Sequence, residues 1–112
     1  MKAIAISALA ATALLASAPA LANMDLAKKS NCLACHAVDK KLVGPSYQDI
    51  SKKYAGQKGA EAKLFDRVKK GTDATGGSNW KAVTGGMPMP PNAAVKDEDI
   101  KTLVKWILAG AK

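Results

Sequence analysis

The stretch Cys32-Leu33-Ala34-Cys35-His36 has two cysteines three residues apart and a histidine directly after the second. Residues three apart lie on one face of a helical turn, so both thiols can reach one edge of a flat ligand. This spacing is typical of the covalent attachment of a c-type haem, in which the thiols bond to the two vinyl groups of the porphyrin. The adjacent imidazole then meets the iron, which predicts His36 as an axial ligand.

Three other uses of a Cys-x-x-Cys pair explain the sequence less well. A structural zinc site needs four ligands, whereas the whole chain has two cysteines and one histidine. A thioredoxin-like redox pair begins a helix within a strand–helix–strand unit, and the sequence has no strand pattern. A disulfide between Cys32 and Cys35 suits an oxidising compartment but leaves His36 without a role. We therefore predict one haem c, bound covalently by Cys32 and Cys35.

The first 22 residues have the pattern of an export signal. Met1-Lys2 forms a basic start, residues 3–18 are rich in Ala and Leu, and residues 19–22 end in small side chains. These features predict a signal peptide that is cleaved after Ala22. An uncleaved anchor is the alternative, although the apolar run is short and Ala-rich for a membrane span.

Residues 23–112 are predicted to form one all-α domain. Its core is modest for its size, so a large apolar cofactor would complete it. The spacing of apolar residues and the helix-end residues predict four short helices, at 24–30, 46–54, 61–70 and from Asp97 onward. The segment 71–94 is rich in Gly and Pro and is predicted to be neither regular helix nor central strand.

A haem that only exchanges electrons needs a second axial ligand, because an open position admits gas or peroxide chemistry. The chain has one histidine, so the remaining candidates are methionine, lysine or no ligand. Met1 leaves with the predicted signal, and Met24 lies before the Cys-x-x-Cys-His segment. Met87 and Met89 lie in a proline-stiffened run, and the residues alone leave both open as the ligand.

Four segments resemble the small bacterial class I cytochromes c of the cytochrome c-551 group, also called cytochrome c8. They are Cys-Leu-Ala-Cys-His-Ala at 32–37, Val-Gly-Pro at 43–45, Pro-Met-Pro-Pro-Asn at 88–92 and Leu-Val-Lys-Trp-Ile at 103–107. The proline-rich segment is highly specific to this group. The resemblance implies a cytochrome c domain with short helices around one haem, and Met89 as the distal iron ligand. Relatives place a Trp near a propionate, whereas residues 81–86 here lengthen the loop after Trp80, so the resemblance leaves a propionate contact of Trp80 open.

The resemblance also implies three contacts around the haem. The Pro45 carbonyl accepts the N–H of the proximal imidazole, the Asn92 amide approaches the Met sulfur, and Arg67 pairs with a haem propionate. Each residue also has a simpler interpretation. Pro45 can be a rigid turn, Asn92 a turn residue and Arg67 a solvated helix charge.

The function implied by the resemblance is that of a periplasmic one-electron carrier rather than an enzyme. It would act as a monomer between a bc-type complex and a terminal oxidase or nitrite reductase. A ligand-binding or sensory haem protein with a labile distal Met is the alternative. A peroxidase would need a second histidine or a similar distal acid or base, and the chain has no second histidine.

The net charge of +8, or +7 without Lys2, bears on the partners. A positive face would speed encounters with acidic redox proteins or anionic membrane surfaces, although a solvated basic surface without steering explains the charge equally well. Nucleic acid is not an expected partner, because the chain is predicted to be exported and has no recognised nucleic-acid-binding motif. Stable membrane insertion is not expected either.

Overall fold

The computed structural model describes residues 18–76 and 80–112, and most of the predicted signal peptide therefore lies outside the described residues. Within the described part, the chain forms five α-helices and one short 3₁₀ turn, with no strand pair beyond an isolated bridge between His36 and Lys41. The helices are α1 (Ala18–Lys29), α2 (Tyr47–Tyr54), α3 (Ala60–Lys70), α4 (Lys81–Thr84) and α5 (Asp97–Leu108), and the 3₁₀ turn is Cys32–Ala34. The all-α prediction is confirmed.

Helix α5 is the centre of the packing, since α1, α2 and α3 all contact it. Its first turn carries three acidic residues, which suit the positive end of the helix dipole. Ile100 and Val104, four positions apart, are 0% and 1% exposed and belong to one apolar stripe. Tyr47 and Tyr54 of α2 are also buried in this core. Helix α1, which precedes the attachment residues, and helix α3 are thus fixed to one support.

Helix α1 is longer than the sequence predicted. It begins at Ala18 instead of residue 24, so it continues through the predicted cleavage position after Ala22. Pro19 lies in the first turn, where its missing N–H costs no helical hydrogen bond, and the alanines that follow favour a helix. Cleavage after Ala22 stays a prediction.

The prediction that segment 71–94 contains no regular helix is wrong at one place, because Lys81–Thr84 forms the single turn α4. This short run contains neither Gly nor Pro, which explains why it can close a helical turn. Trp80 lies just before it, with the Lys53 ammonium 4.9 Å from the centre of its ring. In the described part of the chain, no helix is long and apolar enough to cross a membrane.

Candidate cofactor site

The two cysteines lie at the turn that follows α1. Cys32 begins the 3₁₀ turn and Cys35 directly follows its last residue, and residues three apart in such a turn point to the same side. Both side chains are half-buried free thiols. The His36 N–H donates to the Cys32 carbonyl at 3.0 Å, which continues the turn into the histidine. The structure therefore presents both thiols and the imidazole from one compact unit.

Burial keeps the Cys32 thiol protonated. The pKa of Cys32 is raised because desolvation disfavours the thiolate, and a hydrogen bond with the Tyr47 side chain offsets only part of this effect.

His36 is buried and has a single nitrogen available for a metal. Its Nδ1 lies 2.7 Å from the Pro45 carbonyl oxygen, which can only accept, so Nδ1 carries the proton and Nε2 keeps its lone pair. The pKa of His36 is lowered by burial, with the Pro45 bond acting in the opposite direction. The side chain is thus a neutral imidazole with Nε2 as the donor atom, which is the form that binds iron.

The imidazole ring is held by close packing as well as by this hydrogen bond. A Cβ added at Gly44 would lie 2.6 Å from His36 Cε1, so only glycine permits the observed approach. Tyr47 stacks on the imidazole with ring centres 5.4 Å apart, and Trp106 packs edge-on against Tyr47 at 5.6 Å. Sequence reasoning missed Tyr47 as a site residue, because its spacing in α2 indicated only a core position. Its one further signal is its place two residues after Pro45.

A tight return of the chain brings Gly44 and Pro45 to His36. The Gly44 N–H donates to the Cys35 carbonyl at 2.8 Å, and His36 and Lys41 form the isolated antiparallel bridge. The Tyr47 N–H then donates to a carbonyl just after His36, at Ala37, over 2.9 Å. Local backbone bonds therefore bring the residues of this half of the site together.

The second half of the site is the methionine strap, which we define as residues 87–95. Residues at the end of α3 and just after it anchor the strap. The Met89 N–H donates to Thr72 Oγ1 at 2.9 Å, and the Thr72 N–H donates to the Met89 carbonyl at 3.1 Å. The Asn92 N–H donates to the Val68 carbonyl at 3.0 Å. A Cβ added at Gly71 would lie 2.9 Å from the Met89 carbonyl oxygen, so the strap and α3 are in direct backbone contact.

The two candidate methionines differ in burial. The Met87 side chain is 61% exposed, whereas Met89 is half-buried. A thioether that binds a haem iron has to be shielded from water on the metal side, so the burial of the two residues favours Met89.

Lys69 fixes the far end of the strap. Its Nζ donates to the carbonyls of Ala93 and Val95 at 3.3 and 3.2 Å and forms an ion pair with Asp97 at 2.8 Å. The hydrogen bond and the charge of Lys69 lower the pKa of the Asp97 carboxyl. One side chain of α3 is thereby joined to both the strap and the first residue of α5.

The Asn92 side chain hydrogen-bonds to two backbone carbonyls. Its amide donates to the carbonyls of Val68 and Pro90, at 3.1 and 3.2 Å. Val68 lies in the last turn of α3, where carbonyls lack helical partners and can accept such a bond. The approach of this amide to the Met89 sulfur stays a prediction.

Arg67, also on α3, is half-buried and directs a guanidinium nitrogen, Nη1, at the Tyr54 hydroxyl over 2.5 Å. The guanidinium carbon also lies 6.0 Å from the centre of the Tyr54 ring. Sequence reasoning identified Arg67 but not the tyrosine that orients it.

These residues fit a covalently bound haem with two axial ligands. Two thiols on one side of a turn match two vinyl groups, and a neutral imidazole and a half-buried thioether are donor types that bind the iron of c-type haems. The glycine at position 44 leaves the room that the imidazole needs to face the cofactor.

Comparison with known proteins identifies the family. A family model described as Cytochrome c matches residues 17–111. Cytochrome c-551 of Pseudomonas aeruginosa is 49% identical over 84 residues, which cover 75% of this chain and 72% of that protein. Cytochrome c-552 of Nitrosomonas europaea is 48% identical over 99 residues, which cover 88% of each.

Solved structures agree with this result. The crystal structure of wild-type Nitrosomonas europaea cytochrome c552 superposes with a TM-score of 0.67 at 45% identity and covers 77% of this chain and 96% of that chain. The class 1 cytochrome MtoD from Sideroxydans lithotrophicus ES-1 gives a TM-score of 0.64 at 36% identity, over 81% and 95% of the two chains. The predicted family and cofactor are confirmed: the chain belongs to the cytochrome c family and is a haem c electron carrier, with Cys32, Cys35 and His36 matching the attachment motif.

Proposed function

We propose that this cytochrome is a periplasmic one-electron carrier whose haem is anchored by Cys32 and Cys35 and ligated axially by His36 and Met89. The bound haem supplies the redox chemistry, its iron alternating between the ferric and ferrous states. The observation that supports the proposal most strongly is the hydrogen bond from His36 Nδ1 to the Pro45 carbonyl, because it leaves Nε2 as the donor atom.

On the proximal side, the protein holds the ligand still. The Pro45 carbonyl fixes the tautomer of His36 and strengthens the imidazole as a donor. The Gly44 backbone and the Tyr47 ring pack against the imidazole and resist its rotation. An electron can then arrive or leave with little movement of the ligand, which is what a carrier requires.

On the distal side, the strap presents a soft sulfur. A thioether favours ferrous iron relative to a second imidazole, so Met89 would raise the reduction potential. Asn92 supports the ligand indirectly, by attaching the strap to Val68. We further propose that Arg67, oriented by the Tyr54 hydroxyl, pairs with a haem propionate.

The loop after the attachment residues has the composition of a docking surface. Leu42 and Val43 are 43% and 45% exposed, and Lys40 and Lys41 beside them are also exposed. An apolar centre next to cations suits an acidic redox protein. The exposed lysines at 28, 29, 52, 53 and 58 would extend this attraction over the front half of the chain.

In this proposal, export precedes function, with cleavage after Ala22, and the mature monomer exchanges electrons between a bc-type complex and a terminal oxidase or nitrite reductase. No catalysed reaction is part of the proposal. The alternative of a ligand-binding haem with a labile Met has no support from the relatives, which are named as cytochromes c-551, c-552 and c2.

The first prediction concerns the sulfur ligand. Ferric haem with a thioether ligand has a weak absorption band in the deep red. We expect Met89→Ala to lose this band and Met87→Ala to keep it, as measured by absorbance of the purified holoproteins. The reverse pattern would show that Met87 is the ligand.

The second prediction concerns the imidazole. Gly44→Ala should lower the free energy of unfolding of the holoprotein by about 1–3 kcal/mol, because its methyl group overlaps the His36 ring, and should shift the reduction potential. Gly56→Ala is the control, because no atom lies within 4 Å of its added Cβ. The Gly56→Ala variant should lose stability only because alanine is strained at the positive φ of this position, and its reduction potential should equal that of the unaltered protein. Equal potentials for Gly44→Ala and the unaltered protein would contradict the proposed role.

The third prediction concerns charge. Oxidation of the reduced protein by anionic hexacyanoferrate(III) should slow severalfold as ionic strength rises from about 0.01 to about 0.2 M, whereas oxidation by a cationic cobalt(III) complex should speed up. Replacing Lys40 and Lys41 by Gln should weaken the salt dependence of oxidation by hexacyanoferrate(III) more than replacing Lys52 and Lys58 by Gln. A rate that is independent of salt would remove the steering proposal.

A further inference from the structure

One residue outside the strap holds the main chain of Met89 on both sides. Thr72 Oγ1 accepts the Met89 N–H at 2.9 Å, and the Thr72 N–H donates to the Met89 carbonyl at 3.1 Å. Two hydrogen bonds between the same pair of residues restrain both the position and the rotation of the Met89 backbone. Thr72 is itself half-buried, so water does not fully replace either bond.

The sequence of the strap makes the hydroxyl bond unusually important. Residues 88–91 are Pro-Met-Pro-Pro, and proline has no N–H, so the Met89 N–H is the sole backbone donor of these four residues. That donor goes to a side chain, the Thr72 hydroxyl, and not to another backbone carbonyl. The one hydrogen bond that these four residues donate from the backbone therefore requires an acceptor in the side chain of residue 72.

Gly71 brings this threonine within reach. It has φ +83°, which lets the chain turn sharply after α3, and an added Cβ would lie 2.9 Å from the Met89 carbonyl oxygen and 3.0 Å from the Pro91 nitrogen. Since α3 packs against α5, these contacts fix the Met89 backbone relative to the helical core.

We propose that Thr72 is a positioning residue for the iron ligand: its hydroxyl places the Met89 thioether and so determines how firmly the sulfur resists replacement by other ligands. This inference rests on the proposed ligation by Met89. The Val, Ser and Ala variants at position 72 all retain the backbone N–H, so the specific contribution is that of the side-chain oxygen.

The test uses the purified ferric holoprotein and imidazole as the competing ligand. Thr72→Val keeps the shape of the side chain and removes the acceptor, whereas Thr72→Ser keeps the acceptor. Thr84→Val is the matched control, because Thr84 Oγ1 also accepts a backbone N–H of the same loop, but that of Gly86, at 3.2 Å, and not that of Met89. Imidazole affinity is read from the loss of the deep-red band, and the reduction potential is measured alongside.

We expect Thr72→Val to bind imidazole about tenfold more tightly than the unaltered protein, as the loss of one hydrogen bond predicts, and to have a lower potential. Thr72→Ser and Thr84→Val should stay within about twofold of the unaltered protein. A residue with only a structural role would change thermal stability without this change in affinity and without rescue by Ser.

The outcomes separate this inference from the proposed function. If Met89→Ala keeps the deep-red band, the ligand assignment fails and the role of Thr72 fails with it. If Met89→Ala loses the band but Thr72→Val binds imidazole as the unaltered protein does, only the role of Thr72 is overturned. Should Thr72→Val yield no holoprotein, Thr72→Ala replaces it, and equal imidazole affinities of the Ala and Ser variants would overturn the inference.

Discussion

The single proton on the His36 imidazole is the constraint on which the site depends. The Pro45 carbonyl can only accept, so that proton stays on Nδ1 and the metal-binding lone pair stays on Nε2. Burial lowers the pKa of His36 and so favours the neutral imidazole over the imidazolium. Nearby residues hold this arrangement. Gly44 leaves room for the imidazole, and backbone hydrogen bonds join Gly44 to Cys35 and Tyr47 to Ala37.

The two halves of the site are built on different principles. The proximal half is a short loop that folds back on itself, whereas the methionine strap has little internal hydrogen bonding and takes its position from α3. Val68, Lys69 and Thr72 each supply a contact to the strap. Both halves meet at α5, through Tyr47 against Trp106 and through the packing of α3. The helices therefore fix the distance between the segments that carry the two proposed ligands, which are more than fifty residues apart in the chain.

Much of this architecture could be predicted from the sequence, because its strongest signals are local. The Cys-x-x-Cys-His spacing, the apolar stripe of α5 and the Gly and Pro content of segment 71–94 each express a short-range rule. What the sequence could not provide were contacts between distant segments: Thr72 with Met89, Tyr54 with Arg67, and the turning of Asn92 toward Val68. The start of α1 and the turn α4 were missed because they lie beside proline and glycine, whose effect depends on position within the turn.

X-ray absorption at the iron edge of the oxidised, purified protein tests the central claim most directly, because it reports the atoms bound to the iron. Ligation by His36 and Met89 predicts one sulfur scatterer together with the nitrogens of the porphyrin and one imidazole, and a six-coordinate iron. An iron surrounded only by nitrogen or oxygen, or one with a vacant position at rest, would contradict the account of a carrier whose iron lies between an oriented imidazole and a strap-borne thioether.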